Sequence, residues 1–95
     1  MSVAVVVEHK IKEGQLGAYV DYMKEMIALT KQEDGCIAYD LYEGIDEPGK
    51  CIMVELWESK EKLDVHMQTE HFQKFVPGGA AFQDAPSVIN IYQKL

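Results

Sequence analysis

Residues 36–58, CIAYDLYEGIDEPGKCIMVELWE, decide the fold. Two runs, Cys36 to Glu43 and Cys51 to Glu58, are rich in aromatic and β-branched residues and read as strands. Between them, Ile45-Asp46-Glu47-Pro48-Gly49 has turn chemistry, so the runs form an antiparallel hairpin. A turn at Asp46 and Glu47 sets Glu55 opposite Tyr39 and Trp57 opposite Ile37. It also sets Cys36 near Glu58 and Cys51 near Glu43. The cysteines then lie at opposite ends of the hairpin, too far apart for a disulfide within the chain.

Working outward, Val3 to Ile11 is a first strand, ended by Gly14. Leu16, Tyr19, Val20, Met23, Met26 and Ile27 recur at helical spacing, and Asp34-Gly35 stops that helix. After the hairpin, Ser59 is an N-cap for a stretch carrying Leu63, His66 and Met67 on one side. Thr69 is a restart point that gives Phe72, Phe75 and Val76 a shared face. Pro77-Gly78-Gly79 is expected to break this helix, a loop follows through Pro86, and Ser87 to Gln93 is the last strand. The order β-α-β-β-α-β predicts an α+β fold, the ferredoxin-like split βαβ, with both helices on one face of an antiparallel sheet. All 95 residues form one domain, without linker, repeat or low-complexity segment.

Charge narrows the partners. The formal net charge is −7 and the nine basic residues are all lysines. Nucleic acid and anionic membranes both want a basic surface, and the bidentate arginine fork is missing. No stretch approaches the ~18 apolar residues of a spanning helix. Two cysteines and an apolar start lacking a basic region point to the reducing cytosol, a cytoplasmic expectation.

Alternation assigns faces. Val3, Val5, Val7, His9 and Ile11 face the helices, as do Ile37, Tyr39 and Leu41, and Cys51, Met53, Glu55 and Trp57. The third strand is apolar on its other face too, through Ile52, Val54 and Leu56. With Ala4 and Val6, these predict a sheet-to-sheet homodimer. A carboxylate inside an apolar strand is seldom buried unless paired, and burial raises its pKa towards neutrality. Glu55 is therefore a candidate proton acceptor, or a buried acid tied to Tyr39 or a histidine. His66, one turn after Leu63, is a second proton-transfer candidate or a core histidine. His71 follows five positions on, ~140° round a helix, so the two are not expected to share a face and no metal site is expected. His9 stands at the edge of the site. Tyr39, Trp57, Phe72, Phe75 and Phe82 can line a flat apolar pocket, or simply fill the core. Dinucleotide, phosphate-loop and serine-hydrolase motifs are absent.

Glu33-Asp34-Gly35-Cys36-Ile37-Ala38-Tyr39, Val54-Glu55-Leu56-Trp57-Glu58-Ser59 and His66-Met67-Gln68-Thr69-Glu70-His71-Phe72 together resemble the antibiotic biosynthesis monooxygenase family. The small quinol monooxygenase-like members are most similar. The resemblance covers nearly the whole chain. It implies a dimeric α+β barrel, and oxidation of polycyclic phenols or quinols by O₂ without metal, flavin or other cofactor. The deprotonated substrate supplies the electrons. Glu55, His66, Tyr39 and Trp57 match the motif positions, with Glu55 and His66 as the catalytic pair. Tyr39, Trp57, His71 and Phe72 from these motifs, with His9 at the pocket edge, are the substrate-binding candidates. Haem-degrading relatives carry an asparagine on the first strand where this sequence has Val7, which speaks against that reaction. Another relative isomerises a phosphorylated signalling sugar, a reading weakened by the lack of arginine. A dimer that binds a small apolar ligand without chemistry uses the same pocket residues.

Overall fold

The computed structural model describes residues Met1 to Leu95. Strand β1 (Val3–Lys10) leads to helix α1 (Leu16–Lys31) and then to the hairpin β2 (Cys36–Glu43) and β3 (Lys50–Trp57). Helices α2 (Lys60–Met67) and α3 (Glu70–Gly79) follow, then a 3₁₀ turn (Ala80–Phe82) and β4 (Val88–Gln93). The strands pair antiparallel in the order β2-β3-β1-β4, which is the ferredoxin-like α+β fold. No helix is long and apolar enough to cross a membrane.

The core lies between the helices and one sheet face. Val3, Val5, Tyr39, Cys51, Met53 and Trp57 meet Tyr19, Met23 and Met26 of α1, Leu63 of α2 and Phe75 of α3. Every helix-facing residue expected on β3 is buried, including Glu55.

Gly35 joins α1 to β2 at φ 90°, a conformation that favours glycine. A Cβ there would also collide with the Lys62 side chain, so glycine is required twice over. Ser59 and Thr69 cap α2 and α3 by accepting from the Lys62 and Phe72 amides. Thr69 also donates to the His66 carbonyl, so one residue closes α2 and opens α3.

Three expectations change. Tyr39 does face Glu55 and Glu43 does face Cys51, but Cys36, not Ile37, is the partner of Trp57. A bulge between Cys36 and Ala38 inserts one residue, which reverses the alternation at the strand's start. Cys36 therefore packs on the core and Ile37 is exposed. Cys36 still lies near Glu58, whose amide donates to the Gly35 carbonyl at 2.9 Å. Pro77 does not break α3, which runs on to Gly79. Tyr22 donates to the Phe75 carbonyl and its hydroxyl fills the space beside Gly78, so this last turn is braced from outside. The third change concerns His66 and His71, described below.

The register also confirms two apolar sheet faces. Away from the helices, Ala4 pairs with Leu56 and Val6 with Val54, and Ile52 follows on the same side.

Candidate active site

Between the helices and the sheet lies a cavity of about 90 Å³. One water needs only ~10–15 Å³ of such space. Tyr39 and Glu55 stand on its wall as direct cross-strand partners. Val7, Met53 and Ile89 supply apolar floor, and Phe72, Phe75 and Val76 of α3 the roof. His9 lies at another part of the wall, beside Gln83 and Ser87.

Glu55 is 5 % exposed, and no lysine pairs with it. Burial raises its pKa to about 7; a hydrogen bond from Trp57 opposes the rise and the Glu33 charge adds to it. Trp57 Nε1 donates to Glu55 Oε1 at 2.9 Å. The remaining carboxylate oxygen is free to take a proton from a bound molecule. Burial, with Glu55 beside it, raises the Tyr39 phenol well above its usual range, so Tyr39 stays a neutral donor.

His66, His71 and Trp57 do not line the cavity. His66 is 1 % exposed and packs behind the wall, its ring 4.6 Å from Trp57, 5.4 Å from Tyr39 and 5.1 Å from Phe72. Its Nδ1 lies 2.7 Å from Glu33 Oε2, and His71 Nε2 lies 2.7 Å from the same oxygen. The expectation that the two histidines point apart is thus wrong. The single-helix angle fails because α2 ends at Met67 and Thr69 starts α3 afresh. Burial lowers the His66 pKa, partly opposed by Glu33, so the ring is neutral near pH 7. The geometry suits two N–H donors on one carboxylate, which leaves His66 Nε2 as a buried atom without a partner.

Glu33, His66 and His71 are also the one set whose ligand atoms all come within 4.8 Å of each other. Their hydrogen bonds already satisfy the carboxylate. A metal-bound histidine normally donates its second nitrogen's hydrogen to a partner, and His66 Nε2 has none. The trio is better described as a buttress that packs behind Tyr39 and Phe72 of the wall and against Trp57.

Sequence reasoning found Tyr39, Glu55, His9, Phe72 and Phe75 of the cavity lining, while Phe82, also expected there, packs against Tyr19 and Tyr22 instead. It missed the role of Glu33, which precedes the stop signal Asp34-Gly35 and reads as a solvated helix end. Gln83, in a stretch read as loop, and Ser87, read as the start of the last strand, were also missed, as was Tyr19, which reads as plain core.

Taken together, these features define a small α+β domain that encloses an aromatic cavity around one unneutralised carboxylate. The antibiotic biosynthesis monooxygenase family matches the chain over residues 2–78, and the chain belongs to that family. YgiN of Escherichia coli K12, provisionally named a quinol monooxygenase, is 28% identical over 75% of this chain and 78% of its own length. Protein sll1783 of Synechocystis is 30% identical over 88% of this chain, which spans 57% of that relative's length. The crystal structure of a conserved protein from Methanosarcina mazei Go1 superposes with a TM-score of 0.96 at 29% identity, covering 100% of this chain and 94% of that one.

Proposed function

We propose that the chain is a monooxygenase that oxidises a quinol or related aromatic with O₂, and that its own side chains carry the protein's part of the reaction. The observation that carries this reading is Glu55, a buried carboxylate with a pKa of about 7 on the wall of an aromatic cavity. A phenol placed there gives its proton to Glu55, and the electron-rich phenolate then reduces O₂. One oxygen atom bonds to a ring carbon, which loses its hydrogen as a proton. The O–O bond breaks so that the other oxygen leaves as water and the ring becomes a quinone. The Tyr39 hydroxyl donates to the developing oxyanion. Phe72, Phe75 and Met53 keep water from the reactive carbanion-like ring. Trp57 holds the carboxylate in place, and His66, fixed by Glu33, braces the wall. The name of YgiN supports a quinol as the substrate class.

The reading includes a homodimer closed through the outer sheet face. Ala4, Val6, Ile52 and Val54 form a half-buried apolar row there, ending in Leu56, which is 38 % exposed. A two-fold contact buries this row in each subunit.

Oxygen uptake with a panel of hydroquinones in metal-free buffer tests the function. Turnover by the native chain that falls at least a hundredfold in Glu55→Gln is expected. Equal rates in the two proteins overturn the assignment of Glu55. Binding of the same compounds with no oxygen uptake instead supports a ligand-binding dimer.

A further inference from the structure

Three polar side chains on the cavity wall have no part in the chemistry above. His9 Nδ1 lies 2.8 Å from Ser87 Oγ, and Ser87 Oγ donates to Gln83 Oε1 at 3.0 Å. All three line the cavity, from β1, from the residue before β4 and from the residue after the 3₁₀ turn.

These bonds have one arrangement in which each donor meets an acceptor. Gln83 Nε2 faces the Gly79 carbonyl at 3.5 Å, so its oxygen turns to Ser87. The single Ser87 hydrogen goes to Gln83, and Ser87 Oγ must accept from His9 Nδ1–H. Burial holds the His9 pKa below the usual histidine range, partly opposed by a side-chain hydrogen bond with Gln83, so the ring is neutral near pH 7. With Nδ1–H given to the Ser87–Gln83 pair, Nε2 carries the ring's lone pair. The ring itself is held edge-on to Tyr19, with centroids 5.6 Å apart.

The register sets the distance to the chemistry. Glu55 pairs with Val5 and Cys51 with His9, so the two levels are four residues apart, or about 13 Å along the strands. Between them the wall is apolar, formed by Val7, Met53 and Ile89.

We propose that His9, oriented by Ser87 and Gln83, is a second polar end of the site, which accepts a hydrogen bond from a hydroxyl remote from the one that meets Glu55. This deepens the aromatic-substrate reading and rests on it. With about 3 Å given to a hydrogen bond at each end, roughly 7 Å separates two hydroxyls that engage both. That span suits substituents at opposite ends of two fused rings better than those across one. The enclosed volume is small, so such a ligand lies partly in the open side, past Val76 and Ile89, which are partly exposed. The ligand class is a two-ring aromatic diol in its reduced form. A carbonyl at the remote end offers no hydrogen and meets the His9 lone pair unfavourably.

The test is equilibrium binding under anaerobic conditions, where no turnover is read, to 2,6-dihydroxynaphthalene, 2-naphthol and 6-methoxy-2-naphthol. The diol is expected to bind about fivefold to tenfold more tightly than either other compound, the worth of one hydrogen bond. His9→Phe and Ser87→Ala, each checked for native circular dichroism, should bring the three affinities together by weakening the diol alone. The methoxy compound keeps the remote oxygen and loses only its hydrogen. Diol binding no tighter than that of the methoxy compound, or a preference that survives in both variants, overturns the second polar end. If the diol preference holds while oxygen uptake fails for every quinol, the subsite stands and the catalytic reading falls. Failure of all three compounds to bind overturns the aromatic site and the subsite with it.

Discussion

Trp57 Nε1 donates a 2.9 Å hydrogen bond to Glu55 Oε1, two residues back on the same face of β3, with both groups buried. The bond opposes burial: it favours the charged carboxylate that burial disfavours. A hydrogen bond to a charged group is worth ~1.5–3 kcal/mol, about one pKa unit or more. Trp57→Phe should therefore move the Glu55 midpoint upward from about 7 by at least a unit. Carbon-13 NMR of the Glu55 side-chain carboxyl reads this directly. A midpoint that stays put means that the indole does not tune the carboxylate.

The same carboxylate makes stability depend on pH. Its folded pKa lies above the unfolded value, so the folded chain holds the proton more tightly. The associated stability is fully present below the unfolded pKa, near 4.3, and is lost as pH rises through about 7. The loss is on the order of 3 kcal/mol. Glu55→Gln cannot lose a proton. Relative to the native chain it should gain stability from pH 5 to about pH 7 and level off towards pH 8 in urea denaturation. A difference that does not change over that range contradicts the buried titration.

Glu33 accepts from two histidines at one oxygen, 2.7 Å from each. Glu33→Ala leaves His66 Nδ1 buried without a partner and should cost about 1–3 kcal/mol. It also removes the charge that holds the His66 pKa up, so that pKa should fall further. Proton NMR of the imidazole ring resonances, followed with pH, checks the fall. A rise there shows that the Glu33–His66 contact does not govern the ring.

Val54 stands at the middle of the outer apolar row, paired with Val6. Val54→Lys puts an unpaired charge in the proposed sheet-to-sheet contact, at several kcal/mol for each copy. Light scattering should find monomer or aggregate, with a lower melting temperature. Glu47→Lys, in the exposed hairpin turn, should stay dimeric. A Val54→Lys dimer with an unchanged melting temperature contradicts this interface.

The fold was legible because its signals are local and agree with each other. The hairpin turn, the β-branched first strand and the periodicity of α1 each named an element. The Tyr39–Glu55 pairing followed from the turn alone. The bulge at Ile37 was not legible, since an inserted residue leaves no composition mark. Glu55 stood out as a lone acid among apolar neighbours. Glu33 did not, because an acid near a helix end looks the same whether it faces water or two histidines. The meeting of His66 and His71 depends on the angle between two short helices at Thr69, which no single-helix period describes. Gln83 and Ser87 were hidden because their role comes from long-range placement against His9.

The most direct test of the account is the pH profile of oxygen consumption with a reactive quinol, from pH 5 to pH 9. If Glu55 accepts the substrate proton, kcat/KM rises through a single limb centred near 7, where its carboxylate forms in the free chain. Glu55→Gln should lack that limb and keep only residual turnover. A native profile flat across this range, or a Glu55→Gln profile with the same limb, would contradict the claim that this buried carboxylate drives the chemistry.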